Sequence, residues 1–124
     1  MKEFRRLTVW EKAHALTLAI YQATTDFPRH EIYGLTSQMR RCSASVAANI
    51  AEGCGRTGDG DFHRFLNIAS GSLFELEYFL LLSRDLGFLR RDDYDALSEN
   101  TLEVQRMLAA LLRRVQSSRQ TRTT

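Results

Sequence analysis

Apolar residues return every three or four positions along most of this chain, and four separate stripes of them can be followed. The first runs Val9, Ala13, Leu16, Ile20, Ala23, Phe27. Its 4-3-4-3-4 spacing is the rhythm of a helix that buries one seam in a bundle. Thr8 followed by Glu11 has the form of a capping box at its start. Asp26-Phe27-Pro28 ends it, because a residue before proline is pushed out of helical geometry. After a short link, Arg29 to Gly34, a second stripe repeats the same spacing through Leu35, Met39, Cys42, Val46, Asn49 and Gly53. Small residues surround it (Ser43, Ala44, Ser45, Ala47, Ala48, Ala51), which lets a neighbouring backbone come close. Asn49, polar on this seam, reads first as a register-setting hydrogen bond to another helix, with a ligand role as the alternative.

The third helix is expected from Asp59 or Asp61 to Gly87, and it carries two stripes. Phe62, Leu66, Ala69, Leu73, Leu76 and Leu80 form one; Phe65, Ile68, Ser72, Phe79, Leu82 and Leu86 form the other. Around Tyr78-Phe79-Leu80-Leu81-Leu82 it is apolar on nearly every side. Such a helix is normally covered on every side, yet no helix in a four-helix monomer is surrounded. Phe65, Phe79, Leu82 and Leu86 are therefore expected at an interface with another subunit. The fourth helix opens at Asp92 or Asp93 and runs Tyr94, Leu97, Thr101, Val104, Leu108, Leu111, Val115. Nothing apolar follows Val115, so residues 117–124 are expected to form a disordered, arginine-containing tail. Four stripes of similar length with short links predict an all-α, antiparallel up-down-up-down four-helix bundle over residues 1–116.

Composition narrows this little. A chain of 124 residues with 44% hydrophobic and 26% charged residues makes one globular domain. A single proline leaves little of the punctuation an all-β fold needs. The longest unbroken apolar run, Met107 to Leu112, is far shorter than the ~20 residues of a membrane span. The charged opening, Met1 to Arg6, lacks the apolar core of a signal peptide. The expectation is a cytoplasmic protein with no membrane contact. Cys42 and Cys54, about 18 Å apart along one helix, are too distant to bridge, and both read as structural thiols.

Motifs with chemical potential fade on inspection. Gly53-Cys54-Gly55-Arg56-Thr57-Gly58 has the letters of a dinucleotide-binding loop, but it follows a helix, not a strand. It reads as a glycine cap at Gly53 and a helix–helix connection, with Arg56 and the following amides as a weaker phosphate site. Glu11-x-x-His14 is half of a di-iron motif, and its second half is missing. His14, His30 and His63 find no partners that would make a triad. No catalytic residue, metal site or cofactor is expected.

Charge placement says more. The net charge is only +2, but 15 of the 17 basic residues are arginine, the side chain suited to bidentate phosphate contact. In the expected topology one end collects Lys2, Arg5, Arg6, Lys12, Arg56, Arg64, Arg113, Arg114, Arg119 and Arg122 against Glu3, Glu11, Glu52, Asp59 and Asp61. The opposite end is mildly acidic. Two readings compete: ordinary charge dressing helix termini, and a basic platform for nucleic acid built on Arg5, Arg6, Arg56, Arg64, Arg113, Arg114, Arg119 and Arg122. The pattern shows no aromatic residues interleaved for base stacking.

Taken together these residues resemble the 23S ribosomal RNA intervening-sequence proteins, from about Phe4 to Val115. The resemblance rests on Leu7-x-Val9-Trp10-x-x-Ala13, Phe27-Pro28, Tyr33-x-Leu35-x-x-Gln38-x-Arg40-Arg41 and Ser45-Val46-x-x-Asn49-Ile50-Ala51-Glu52-Gly53. It continues in Phe62-x-x-Phe65-Leu66, Ala69-x-Gly71-Ser72-x-x-Glu75-Leu76-Glu77 and Leu86-Gly87-Phe88-Leu89. Cys42 stands where the family usually has alanine. The resemblance implies an antiparallel four-helix bundle, a ring of five subunits for some relatives, and no established enzymatic activity. Some relatives are similar to the accessory protein of diversity-generating retroelements, which implies nucleic acid and a protein as partners. In that setting Arg40, Arg41, Asn49, Glu52, Gly71, Ser72, Glu75 and Glu77 read as ion pairs and close-packing points within or between subunits.

Overall fold

Four helices carry nearly all of residues 2–123, the part that the structure (a computed structural model) describes, with side chains described through residue 120. They are α1 (Thr8–Ala23), α2 (Leu35–Cys54), α3 (Asp59–Asp85) and α4 (Arg91–Thr123), with 3-10 turns at Phe4–Arg6, Thr24–Asp26 and Arg29–Glu31. No strand occurs among the described residues. Helix α1 packs on α2 and α4, and α3 packs on the same two, so the helices stand in a square in chain order. Every adjacent pair is antiparallel. Gly53, late in α2, meets Phe62, early in α3, while Met39, early in α2, accepts from the Ser83 hydroxyl, late in α3. Ala23, at the end of α1, and Asp26 just beyond it line one groove with Asp93 and Leu97 at the start of α4, while Leu7 and Val9 line another with Leu111 and Arg114.

The seams form the core. Val9, Ala13, Leu16, Ile20, Met39, Val46, the whole Phe62-to-Leu80 stripe of α3, and Leu97, Thr101, Val104, Leu108, Leu111 and Val115 on α4 are buried. The clearest departure from the expected seams is at Asn49. Ile50, wholly buried, fills the place expected of Asn49. The Asn49 amide instead donates to the carbonyl and hydroxyl of Ser45 on its own helix, at 2.8 and 2.9 Å. An amide that can bond back one turn has no need to cross to another helix. Buried hydroxyls are likewise satisfied locally: Thr101 donates to the Leu97 carbonyl and Ser83 to the Phe79 carbonyl.

Helix ends explain further departures. Thr8 is the first residue inside α1, and Leu7, with no side-chain cap, precedes it. The 3-10 turn before it already presents the Leu7 carbonyl to Trp10 and Glu11, so the Thr8–Glu11 capping box does not form. Gly53 lies within α2 and does not cap it. Gly87 ends α3 at φ +79°, with Phe88 N–H donating to Ser83 and Gly87 N–H to Arg84. That is the paired closure in which glycine takes the left-handed position. Beyond Gly87 the chain has neither glycine nor proline, and α4 continues past Val115 through 117–123 instead of loosening into a tail. Arginine and glutamine favour a helix, serine and threonine less so, and with no breaker in the segment nothing stops it.

Helix α3 is also long and apolar enough, by length and composition, to cross a membrane. The longest-run criterion missed this because its apolar residues are spread among polar ones. Several of those polar residues bond to neighbours: Ser72 meets Ser45 of α2 and Glu77 accepts from Gln105 of α4.

Candidate nucleic-acid interface

The antiparallel order brings the start of α1, the α2–α3 turn, the start of α3 and the end of α4 to one end of the bundle. Three observations hold that end together. Lys2 N–H donates to the Cys54 carbonyl at 2.8 Å. The Lys2 ammonium sits 4.6 Å above the Phe62 ring. Gly60, in the first turn of α3, lies beside the Arg119 guanidinium. Arg114 joins the two sides of α4: it lines a groove of about 340 Å³ with Arg6, and another of about 300 Å³ with Lys2, Asp59 and Phe62.

The basic residues gathered there differ in how far their charge is offset. Arg5 pairs with Glu3 and Arg56 with Glu52, each at 2.8 Å, and Arg64 with Asp61 at 3.6 Å. Arg6, Arg113, Arg114 and Arg119 form no ion pair among the described residues, although Arg119 donates to Gln116. Exposed pairs of the first kind contribute little to stability, and they leave roughly half of the end's guanidinium charge uncompensated. Lys12, expected at this end, is engaged with Glu103 part-way along the bundle. The Arg122 side chain lies outside the described residues.

Aromatic rings are interleaved with these cations after all. The Arg56 and Arg64 guanidinium carbons lie 5.1 and 4.4 Å from the centre of the Phe65 ring, and Arg5 lies 4.6 Å over Phe4. The sequence pattern assigned Phe62 to a core seam and Phe65 to a subunit interface. Nothing in the helical period alone shows that α2 approaches closely enough at Gly53 to bring Arg56 onto Phe65.

A model of the 23S rRNA-intervening sequence proteins matches residues 5–110. The chain belongs to that family. No curated protein matches it. Among solved structures it is similar to a protein of unknown function from the S23 ribosomal protein family of Bacteroides thetaiotaomicron, with a TM-score of 0.78 at 24% identity. The match covers 85% of this chain and 95% of that one, and it supports the shared fold.

This family member places its remaining candidates elsewhere. Phe79 and Leu82 are half-buried against the core, and Leu86 is exposed. The most exposed apolar side chains of α3 are Phe74 and Tyr78, 59% and 56% exposed, with Ile68 and Leu81 beside them; the sequence reading passed over Phe74. Gly71 lies on the same exposed face, and a methyl group there would meet nothing within 4 Å. Within the subunit the close helix crossing falls at Gly53. Arg40 donates to the Thr24 hydroxyl and the Tyr21 carbonyl and lies over the Tyr21 ring, tying α2 to α1.

Glu11 and His14 are both exposed, and His14 stacks on Trp10 with ring centres 5.1 Å apart. No group of three or more His, Cys, Asp or Glu side chains converges among the described residues. Cys42 donates to the Ser72 carbonyl and the Glu75 carboxylate, and burial together with that carboxylate pushes its pKa far up. Burial also raises Cys54, with the Lys2 ammonium pulling the other way.

Proposed function

We propose that this protein is a non-catalytic, oligomeric bundle of the cytoplasm that binds structured RNA or DNA through its basic end. The observation that carries the reading is the set Arg6, Arg113, Arg114 and Arg119, guanidiniums brought to one end and, among the described residues, forming no ion pair. Arginines held this way neutralise phosphates and release counterions from nucleic acid. The outward face of α3 (Ile68, Phe74, Tyr78, Leu81 and Leu86) is the surface proposed for assembly with further copies, in keeping with the pentameric ring that the family resemblance implies. Phe79 and Leu82 lie at its floor, and Phe65 belongs to the basic end. In a cyclic ring every subunit points its basic end the same way, so a modest local charge becomes a strong field.

Replacing Arg6, Arg113, Arg114 and Arg119 by glutamine tests this. The variant should keep its helix content and assembly state. Its affinity for a structured RNA should fall at least tenfold, with a salt dependence shallower by about three on a log–log plot, since each phosphate contact adds about 0.7–0.9. An unchanged affinity would overturn the reading. The same apolar α3 face favours a second reading, a protein-interaction scaffold that touches no nucleic acid. It expects no RNA binding at any salt concentration, and a protein partner lost when Phe74 and Tyr78 become serine.

A further inference from the structure

The ring-borne cations at the α2–α3 turn do something that Arg6 and the α4 arginines do not. Arg56 and Arg64 are each paired with a carboxylate, Glu52 and Asp61, so as phosphate clamps they, like Arg5 with Glu3, are weaker than Arg6 and the α4 arginines. Both guanidiniums nevertheless converge on one ring, Phe65. That ring is half-buried, while both arginine side chains are about half exposed. The ion pair and the ring contact together bias each guanidinium toward this position. An arginine ordered over an aromatic ring presents a planar, weakly hydrated surface, and nucleobases stack on guanidinium planes as well as on rings. Lys2 over Phe62 and Arg5 over Phe4 repeat the pairing at the same end of the bundle.

The turn beside this stack is unusually bare. Gly58 has φ −110° and ψ 148°, open to any residue, and a methyl group on it would meet nothing within 4 Å. Neither backbone geometry nor packing within the subunit asks for glycine there. Its missing side chain leaves room for a sugar–phosphate chain to pass close to these rings, with Arg113, Arg114 and Arg119 of α4 at the same end to meet the phosphates.

We propose that Arg56, Phe65 and Arg64 form a stacking platform for unpaired nucleobases. The basic end would then take single-stranded or looped segments of a nucleic acid in preference to an uninterrupted duplex, whose bases are hidden in their own stack. This rests on the nucleic-acid reading above and names the class of ligand for that site.

The test uses 12-nucleotide RNA and DNA strands of one sequence carrying 2-aminopurine, each alone and as a blunt duplex, titrated with the full chain. Single strands should bind at least tenfold more tightly than duplexes, with quenching of the 2-aminopurine fluorescence as it stacks. Phe65→Leu keeps the apolar bulk, and Arg64→Gln removes one guanidinium plane without touching the core. Each should weaken single-strand binding at least fivefold, at the lower end of what one lost base stack costs, and duplex binding less than twofold. Arg90→Gln, at the opposite end, should change neither. Quenching with both sugars supports a platform indifferent to the ribose; quenching with one alone assigns it to that nucleic acid. Equal binding of strands and duplexes without quenching, or unchanged single-strand affinity in both variants, overturns the platform while leaving the basic end as a nucleic-acid site. Absence of binding to every probe overturns both.

Discussion

Two helical glycines, Gly53 and Gly71, should respond in opposite ways to alanine. A methyl group at Gly53 would lie 3.0 Å from the Phe65 Cβ, 3.1 Å from Phe62 Cδ1 and 3.4 Å from the Phe62 carbonyl oxygen. Two of those atoms are fixed to the α3 backbone, so no side-chain rotation relieves the clash and the helices must part by a few tenths of an ångström. Overpacking of this kind costs about 1–3 kcal/mol, and the better helix propensity of alanine returns about 1 kcal/mol. Gly53→Ala should therefore range from neutral to about 2 kcal/mol destabilising. Gly71, with open space around it, should only gain, by about 1 kcal/mol. Unfolding free energies of the two variants from urea titrations, followed by circular dichroism at protein concentrations low enough to exclude assembly, should differ by about 1–3 kcal/mol. In thermal unfolding that is a separation of several degrees for a domain of this size. Equal stabilisation by both substitutions would refute the close α2–α3 crossing, and with it the route by which Arg56 reaches Phe65.

Other outcomes follow from the same geometry. Cys42 and Cys54 should resist alkylation at pH 8 in the folded protein and react on unfolding; rapid native labelling of Cys42 would contradict its burial. Both folded pKa values lie above the ordinary thiol value of 9.0, so stability is intact below pH 9 and falls above it, where only the unfolded chain releases the protons. The loss is at most about 1.4 kcal/mol per pH unit for each thiol, and Cys42→Ala should remove the Cys42 share, as urea titrations between pH 8 and 10.5 would show. Changing Phe74, Tyr78 and Leu81 together to serine should lower the assembled mass in sedimentation without loss of helix. An unchanged mass would place the interface elsewhere.

The bundle was legible because burial obeys a simple period. Thirteen-residue stretches such as Leu66 to Tyr78 declare their inner face by spacing alone, and Leu66, Ala69, Leu73 and Leu76 are all wholly buried. Local hydrogen bonding is harder to foresee. Asn49 could bond across or back, Thr8 could cap or enter the helix, and only the surrounding backbone decides between them. The basic end was legible as charge, since topology alone brings Arg6, Arg56, Arg64 and Arg114 together. Its stacked character was not, because the contact of Arg56 with Phe65 depends on how closely two helices approach at one glycine. Of the residues expected at an interface, Leu86 lies on the outward apolar face, and Ile68, Phe74, Tyr78 and Leu81 extend it. Phe79 and Leu82 look exposed on the second stripe, yet they tuck against neighbouring helices, and Phe74, Tyr78 and Leu81 take the outside.

The most direct measurement is the affinity of the full chain for a labelled, stem-and-loop RNA by fluorescence anisotropy across 50–200 mM salt. With Arg6, Arg113, Arg114 and Arg119 each meeting a phosphate, the log–log slope should be about −3 for one subunit and steeper for an assembly, a loss of roughly sixtyfold or more over that range. Binding that ignores salt, or no binding at 50 mM, would contradict a nucleic-acid role for the basic end.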